Sequence, residues 1–191
     1  MTDRQTDTAL DRLFLDRWSP RAFDGSAIPA EDLRTILDAG RWAPSSYNHQ
    51  PWRFLYAVRD DANWARFLDL LVPGNQVWAR NASVLVFFVS DRFMGSPDRP
   101  NHVHSFDAGS AWAMMALQAT MMGYHAHGMV GVDFERARVE LRVPETFRIE
   151  AAAAFGRMGD PATLPEHLRA REIPSGRKPL DEVAFAGNFV A

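Results

Sequence analysis

"APSSYNHQPWRF", residues 43–54, stands between a helix-like run, "PAEDLRTILDAGRW", and a strand-like run, "WRFLYAV". A connecting turn needs one or two turn-forming residues. This one has two prolines, two serines, an asparagine, a histidine and a glutamine. Hydroxyl and amide groups bracketed by prolines make a stiff loop that can donate and accept hydrogen bonds along a heterocyclic edge, although such groups also cap ordinary loops.

On either side of this loop, helices and strands alternate irregularly. Leu10, Leu13, Phe14 and Trp18 recur at helical spacing, which predicts a helix over 7–17. "SPRAFDGSAIP" reads as a loop turning at Asp24-Gly25. Pro29 suits the first turn of a second helix, whose apolar face is Leu33, Ile36 and Leu37 and which ends near Gly40. A strand is expected at 52–58, a helix at Trp64–Leu71, and a loop over "VPGNQVWARNA". "SVLVFFVS" reads as a buried strand. Residues 91–106 read as a polar loop, followed by the helix "AGSAWAMMALQATMMGY", which is apolar on every side and so expected to be buried all round, as a central helix or against a second subunit. A short strand or turn at 124–132, a helix at 134–142 and a strand at 149–155 complete the pattern. The expectation is one α+β domain over 1–191, a mixed sheet flanked by helices, ending in an extended segment, 160–191.

Composition narrows the chemistry. The chain has 191 residues, a net charge of −3 and no cysteine. Disulfides, iron–sulfur clusters, thiolate metal sites and a cysteine nucleophile are excluded, and no nucleic-acid footprint shows. The polar N-terminus carries no signal-peptide pattern, and "VLVFFV" is too short to cross a bilayer, so a cytoplasmic protein is expected. No dinucleotide-binding G-x-G-x-x-G after a strand, P-loop or nucleophile elbow occurs. His102/His104 and His125/His127 each share one face if they lie on strands, but no acidic residue stands at an obvious third position, so no metal centre is expected. Two basic turns remain: "RWSPRAF" at 17–23 and "PSGRKPL" at 174–180, the latter with the only lysine, Lys178. Each suits an anion as well as it suits solvent.

Taken in order, "RWSPRAF", "APSSYNHQPWRF", "GNQVWARNAS", "DAGSAWAMMALQATMMG" and "PSGRKPLDEV" resemble the nitroreductase family of flavin enzymes, over about residues 10–183. That resemblance implies an intertwined α+β homodimer with one FMN in each of two interface sites. It implies that Arg17, Trp18, Ser19 and Arg21 hold the phosphate and ribityl end with Arg177 and Lys178, and that Asn75 meets the pyrimidine edge. Pro44, Ser45, Ser46 and Asn48 would come from the partner chain, and 160–191 would wrap the dimer. The segment "GMVG", with Met129, Val130 and Gly131, would approach flavin N5. Trp18 stands where an arginine or histidine is common, and "GMVG" lacks an acidic residue that some members carry. The implied activity is two-electron transfer from NADH or NADPH to nitroaromatics, quinones or related acceptors by a ping-pong mechanism. No catalytic side chain is implied, because the flavin carries the redox chemistry. Reductive dehalogenation on the same scaffold and a non-enzymatic flavin-binding protein are the alternatives.

Overall fold

The centre of the structure, a computed structural model describing residues 4–189, is the strand β2 (Val84–Asp91). Its run of β-branched and aromatic residues is buried from Val84 to Ser90, as a central strand covered on both faces requires. It pairs with β1 (Trp52–Val58) on one side and β4 (Phe147–Gly156) on the other, and β3 (His125–Met129) closes the far edge in the order β1-β2-β4-β3. The expected α+β class holds, but all three ladders are antiparallel, so this sheet is not the mixed one expected. The numbers 1–3 and 190–191 of the expected domain and tail lie outside the described residues.

Helices cover both faces. On one, α2 (Ala30–Arg41) and α5 (His104–Met121) bury Leu33, Ile36, Met115, Ala116 and Ala119 against Val84, Val86, Phe88, Ala153 and Phe155. The two helices approach closely at Gly40, where a Cβ would stand 2.7 Å from Met115. On the other face, α3 (Trp64–Asp69), α4 (Pro73–Ala79), α6 (Phe134–Glu140) and α7 (Glu166–Arg169) pack Phe67, Trp78, Ala137 and Leu168 onto Leu85, Phe87, Ala152 and Ala154. The helix α1 (Arg12–Asp16) is shorter than expected; Asp11 caps it by accepting a hydrogen bond from the Leu13 amide at 2.8 Å.

Two expectations need correction. "PGNQVWA" is the helix α4, not a loop: Pro73 occupies its first turn, where a missing N–H costs nothing, and only Trp78 and Ala79 are buried. The helix α5 is not buried all round within this chain. One side packs on the sheet, while Phe106, Met114 and Met121 lie on the surface, Phe106 with 77% of its area exposed.

A candidate anion and cofactor site

The loop that follows α1, residues 17–22, is held from three directions. Arg4 Nη1 donates to the Leu15 and Arg17 carbonyls at 3.2 and 2.8 Å, placing a cation on carbonyls left free at the end of the short helix. Buried Glu172, just beyond α7, accepts from the backbone amides of Arg21 and Ala22 at 2.6 and 2.7 Å. Its other oxygen, Oε2, faces Arg21 Nη1 at 3.9 Å. From β3, His127 Nδ1 lies 2.9 Å from the Pro20 carbonyl, an acceptor only, so this nitrogen carries the hydrogen. The ring also packs on Trp78, 4.6 Å between centroids. Burial, with the nearby Arg21 charge adding to it, pushes His127 down to about 4. Burial also lowers His125, whose ring meets Trp18 edge-on.

This clamp gathers positive charge. Burial, followed by the proximity of Arg177 and Arg4, holds the Arg17 guanidinium below its ordinary value. Arg4 is lowered by burial and by Arg177 in the same way. Among the described residues none of these three arginines forms an ion pair, and Arg4 Nε is buried without a hydrogen-bond partner. Like charges brought together in partial burial are costly unless an anion joins them.

Next to this cluster is a cavity of about 620 Å³ between α1, α5 and the β3–β4 edge; Arg17, Ser19, Trp112, Met129, Val130 and Glu150 are among its walls. Arg17 Nη1 reaches Ser19 Oγ at 3.5 Å. Gly131 is tied to the same region through Asn75, whose Nδ2 donates to the Gly131 carbonyl at 3.2 Å. Any side chain at Gly131 would collide there, since a Cβ would fall 2.3 Å from Asn75 Nδ2. Arg177 and Lys178 line a neighbouring groove together with Arg4.

Of the residues singled out from sequence, Arg17, Ser19, Met129 and Val130 therefore share one cavity. Trp18, Arg21, Asn75 and Gly131 border the same loop and strand, and Arg177 faces Arg17. Pro44, Ser45, Ser46 and Asn48 do not line this cavity. Their loop is bound instead to the start of α5, where Asp107 accepts from the Ser46 amide at 3.2 Å. Arg4, Glu172 and Glu150 escaped the sequence reading: Arg4 and Glu172 stand in polar or proline-rich stretches and Glu150 in the strand run "RIEAAAAF", none with a motif around it. The two histidine pairs also part company. His125 and His127 share a face of β3, whereas His104 begins α5 and His102 precedes it, so the strand premise fails for that pair.

Comparison with known proteins agrees with this geometry. The Nitroreductase family model matches residues 15–74, which hold the clamped loop and the stretch 43–54. A solved structure described as an oxidoreductase containing FMN is 52% identical, covering 100% of this chain and 98% of that one, with a TM-score of 0.96. The chain belongs to the nitroreductase family. A family relative from Desulfovibrio desulfuricans, a putative nitroreductase solved in complex with FMN, is 28% identical over 97% of this chain and 100% of its own, at a TM-score of 0.73. A putative NADH dehydrogenase/NAD(P)H nitroreductase of Rhodopseudomonas palustris is 25% identical, over 70% of this chain and 76% of its own. Among the described residues no helix is long and apolar enough to cross a membrane.

Proposed function

We propose that this chain is an FMN-dependent oxidoreductase that moves two electrons from NADH or NADPH to nitroaromatic, quinone or related acceptors. One observation carries the reading: Arg4, Arg17 and Arg177 lie close together, none in an ion pair among the described residues, beside a cavity walled by Ser19 and residues 128–130. FMN fits that donor set. Its phosphate dianion suits the arginines, with the Ser19 hydroxyl as a further donor. Asn75, Met129, Val130 and Gly131 would meet the ring, whose donors and acceptors an amide side chain can match. A volume of about 620 Å³ lies within the usual range for cofactor pockets. When bound, the flavin supplies the redox chemistry, and the chain's own residues position it and exclude water.

The same reading assigns the loop 43–50 to a partner. Tyr47 is 92% exposed at its tip, and Trp42 is 70% exposed beside it. Phe106, Met114 and Met121 of α5 present further apolar surface. An exposed apolar surface of this kind marks an interaction site. A second copy covering it would bring Pro44, Ser45, Ser46 and Asn48 to the neighbour's flavin. Residues 173–189 are almost wholly exposed and would wrap that partner, while Leu164, Leu168 and Glu172 pack on their own chain.

The absorption spectrum of the purified protein tests the cofactor. Flavin bands, or their appearance after FMN is added, are expected; a colourless protein that ignores FMN refutes the assignment. Double-reciprocal plots at several acceptor concentrations test the mechanism. Parallel lines are expected, because one cavity must take donor and acceptor in turn. Intersecting lines would show a ternary complex.

A further inference from the structure

The far wall of the cavity contains a carboxylate that binding a flavin leaves unexplained. The register of β2 against β4 slips between Phe88 and Val89, which face Ala151 and Ile149, so Glu150 is an extra, unpaired residue. A bulge of this kind re-aims side chains. Ile149 joins the core on one face of the sheet, while Glu150 turns toward α5 and the cavity.

Glu150 is part of a directed hydrogen-bond chain. Its Oε1 accepts from Ser90 Oγ at 2.6 Å and from Ser105 Oγ at 3.0 Å. Ser90 Oγ is also 2.8 Å from His104 Nδ1. A hydroxyl has a single hydrogen. Since Ser90 gives it to Glu150, it must accept from His104, and Nδ1 carries the hydrogen. His104 Nδ1 is also 3.2 Å from Glu150 Oε1 itself, so its hydrogen can reach the carboxylate directly as well as through Ser90, and every link points at Glu150. Ser90 is fully buried, which shields the middle of the chain. At its outer end, His104 lines a second cavity of about 450 Å³, edged by Arg92, Arg138 and Arg148. Glu150 lines both cavities, and Arg148 Nε stands 3.6 Å from its Oε2.

We infer that Glu150 is the acid that protonates the acceptor, and that His104, with Ser90 beside it, returns its proton from the outer cavity. The inference rests on the oxidoreductase reading above. Reduction of a quinone to a quinol adds two electrons and two protons. A hydride equivalent, drawn originally from NADH or NADPH, brings both electrons and one proton, so one proton must come from an acid. The Glu150 O–H bond breaks as the acceptor's O–H bond forms. The Nδ1 hydrogen of His104 passes to Glu150 Oε1, directly or by exchange through Ser90, while His104 Nε2 takes a proton from water. Once Glu150 is reprotonated, the exposed Ser105 hydroxyl turns from Glu150 to His104 Nδ1, 3.4 Å away, gives it a hydrogen and takes one from water, while Nε2 releases its own to water, which restores the starting state. Glu150 is the catalytic residue of this scheme; Ser90 and His104 are positioning residues.

The test reduces the FMN-loaded protein and then mixes it rapidly with one of two oxidants. A quinone needs a proton, whereas ferricyanide takes electrons alone. Glu150→Gln keeps an oxygen for Ser90 and Ser105 but has no acidic proton. It should slow oxidation by the quinone about 100-fold, the low end for a lost general acid. Ferricyanide oxidation, which needs no proton, should slow far less, and a fluorescence titration sets the FMN occupancy at which the rates are compared. Proton uptake, followed with an indicator dye in weakly buffered solution, should slow in step with the quinone reaction. His104→Asn, which removes the imidazole that feeds Glu150, should slow quinone turnover and proton uptake without slowing ferricyanide oxidation. Quinone oxidation at the wild-type rate in Glu150→Gln overturns the inference, as does an equal loss with both oxidants. Wild-type protein that binds no FMN in the titration would instead fail the cofactor reading itself.

Discussion

Two loops of this chain are assigned to one cofactor, and they are built in opposite ways. The loop 17–22 is fixed from within: a buried carboxylate grips two of its amides, an imidazole holds a carbonyl, and Arg4 caps its entrance. The loop 43–50 is presented outward. Three of its residues, Tyr47, Asn48 and Gln50, adopt left-handed backbone at φ 51°, 55° and 53°. For a tyrosine this conformation costs about 1 kcal/mol or more and persists only where the surroundings enforce it. Most of the bonds that do so are local, such as the Gln50 amide to Ser45 Oγ at 3.0 Å and the Asn48 amide to the Ser45 carbonyl at 3.0 Å; His49 Nε2 to the Phe93 carbonyl and the Ser46 amide to Asp107 tie the loop to the rest of the chain. The contrast fits the proposed division of the flavin site between one chain and its partner.

That contrast can be broken in three ways, the largest first. Glu172→Ala strands the Arg21 and Ala22 amides in the interior, and should cost about 3–5 kcal/mol in urea unfolding, with FMN affinity falling alongside. Glu172→Gln keeps the one oxygen that both amides share and should cost less. A full-length Glu172→Ala protein of wild-type stability would show that the clamp is incidental.

The second concerns pH. The folded value of His127, about 4, lies below the ordinary 6.5, so the unfolded chain binds more protons between the two. The neutral ring's contribution is therefore complete above about pH 6.5 and is lost as pH falls toward 4, a change of about 3 kcal/mol. Unfolding of wild type and His127→Asn across that window isolates this term from the carboxylates. Wild-type stability should fall more steeply; parallel curves would refute the assignment.

The smallest effect belongs to the open loop. Ser45→Ala removes one exposed hydrogen bond and should change stability by no more than about 0.5 kcal/mol, although the assembled flavin site should bind FMN less tightly. A loss as large as that from Glu172→Ala would erase the difference between the loops.

Much of the framework was legible in the sequence. β1 falls at 52–58 as expected, and the β2 run is unmistakable because alternating burial is absent from a strand covered on both faces. The helix α4 was not legible: Pro73, Gly74 and Asn75 read as a turn, and two buried residues are too few for a periodic signal. The antiparallel sheet was not legible either, since strand direction depends on connections that local patterns do not encode. In the site, the arginine turns and the 43–54 stretch carried the reading. Glu172 and Glu150 did not, because their roles arise from contacts 150 and 60 residues away along the chain. The bulge that turns Glu150 inward is a property of the pairing with β2, invisible in "RIEAAAAF" alone.

The central claim is that the arginine cluster binds the phosphate of FMN, and a paired titration tests it most directly. Arg17 lies in the cluster and on the cavity wall. Losing one charge-assisted contact should remove about 1.5–3 kcal/mol of binding, so Arg17→Ala should bind FMN about 10- to 150-fold more weakly. Riboflavin has the same ring and ribityl chain without the phosphate, and its affinity should not change. FMN binding at wild-type strength in Arg17→Ala, or an equal loss for both ligands, would contradict the account.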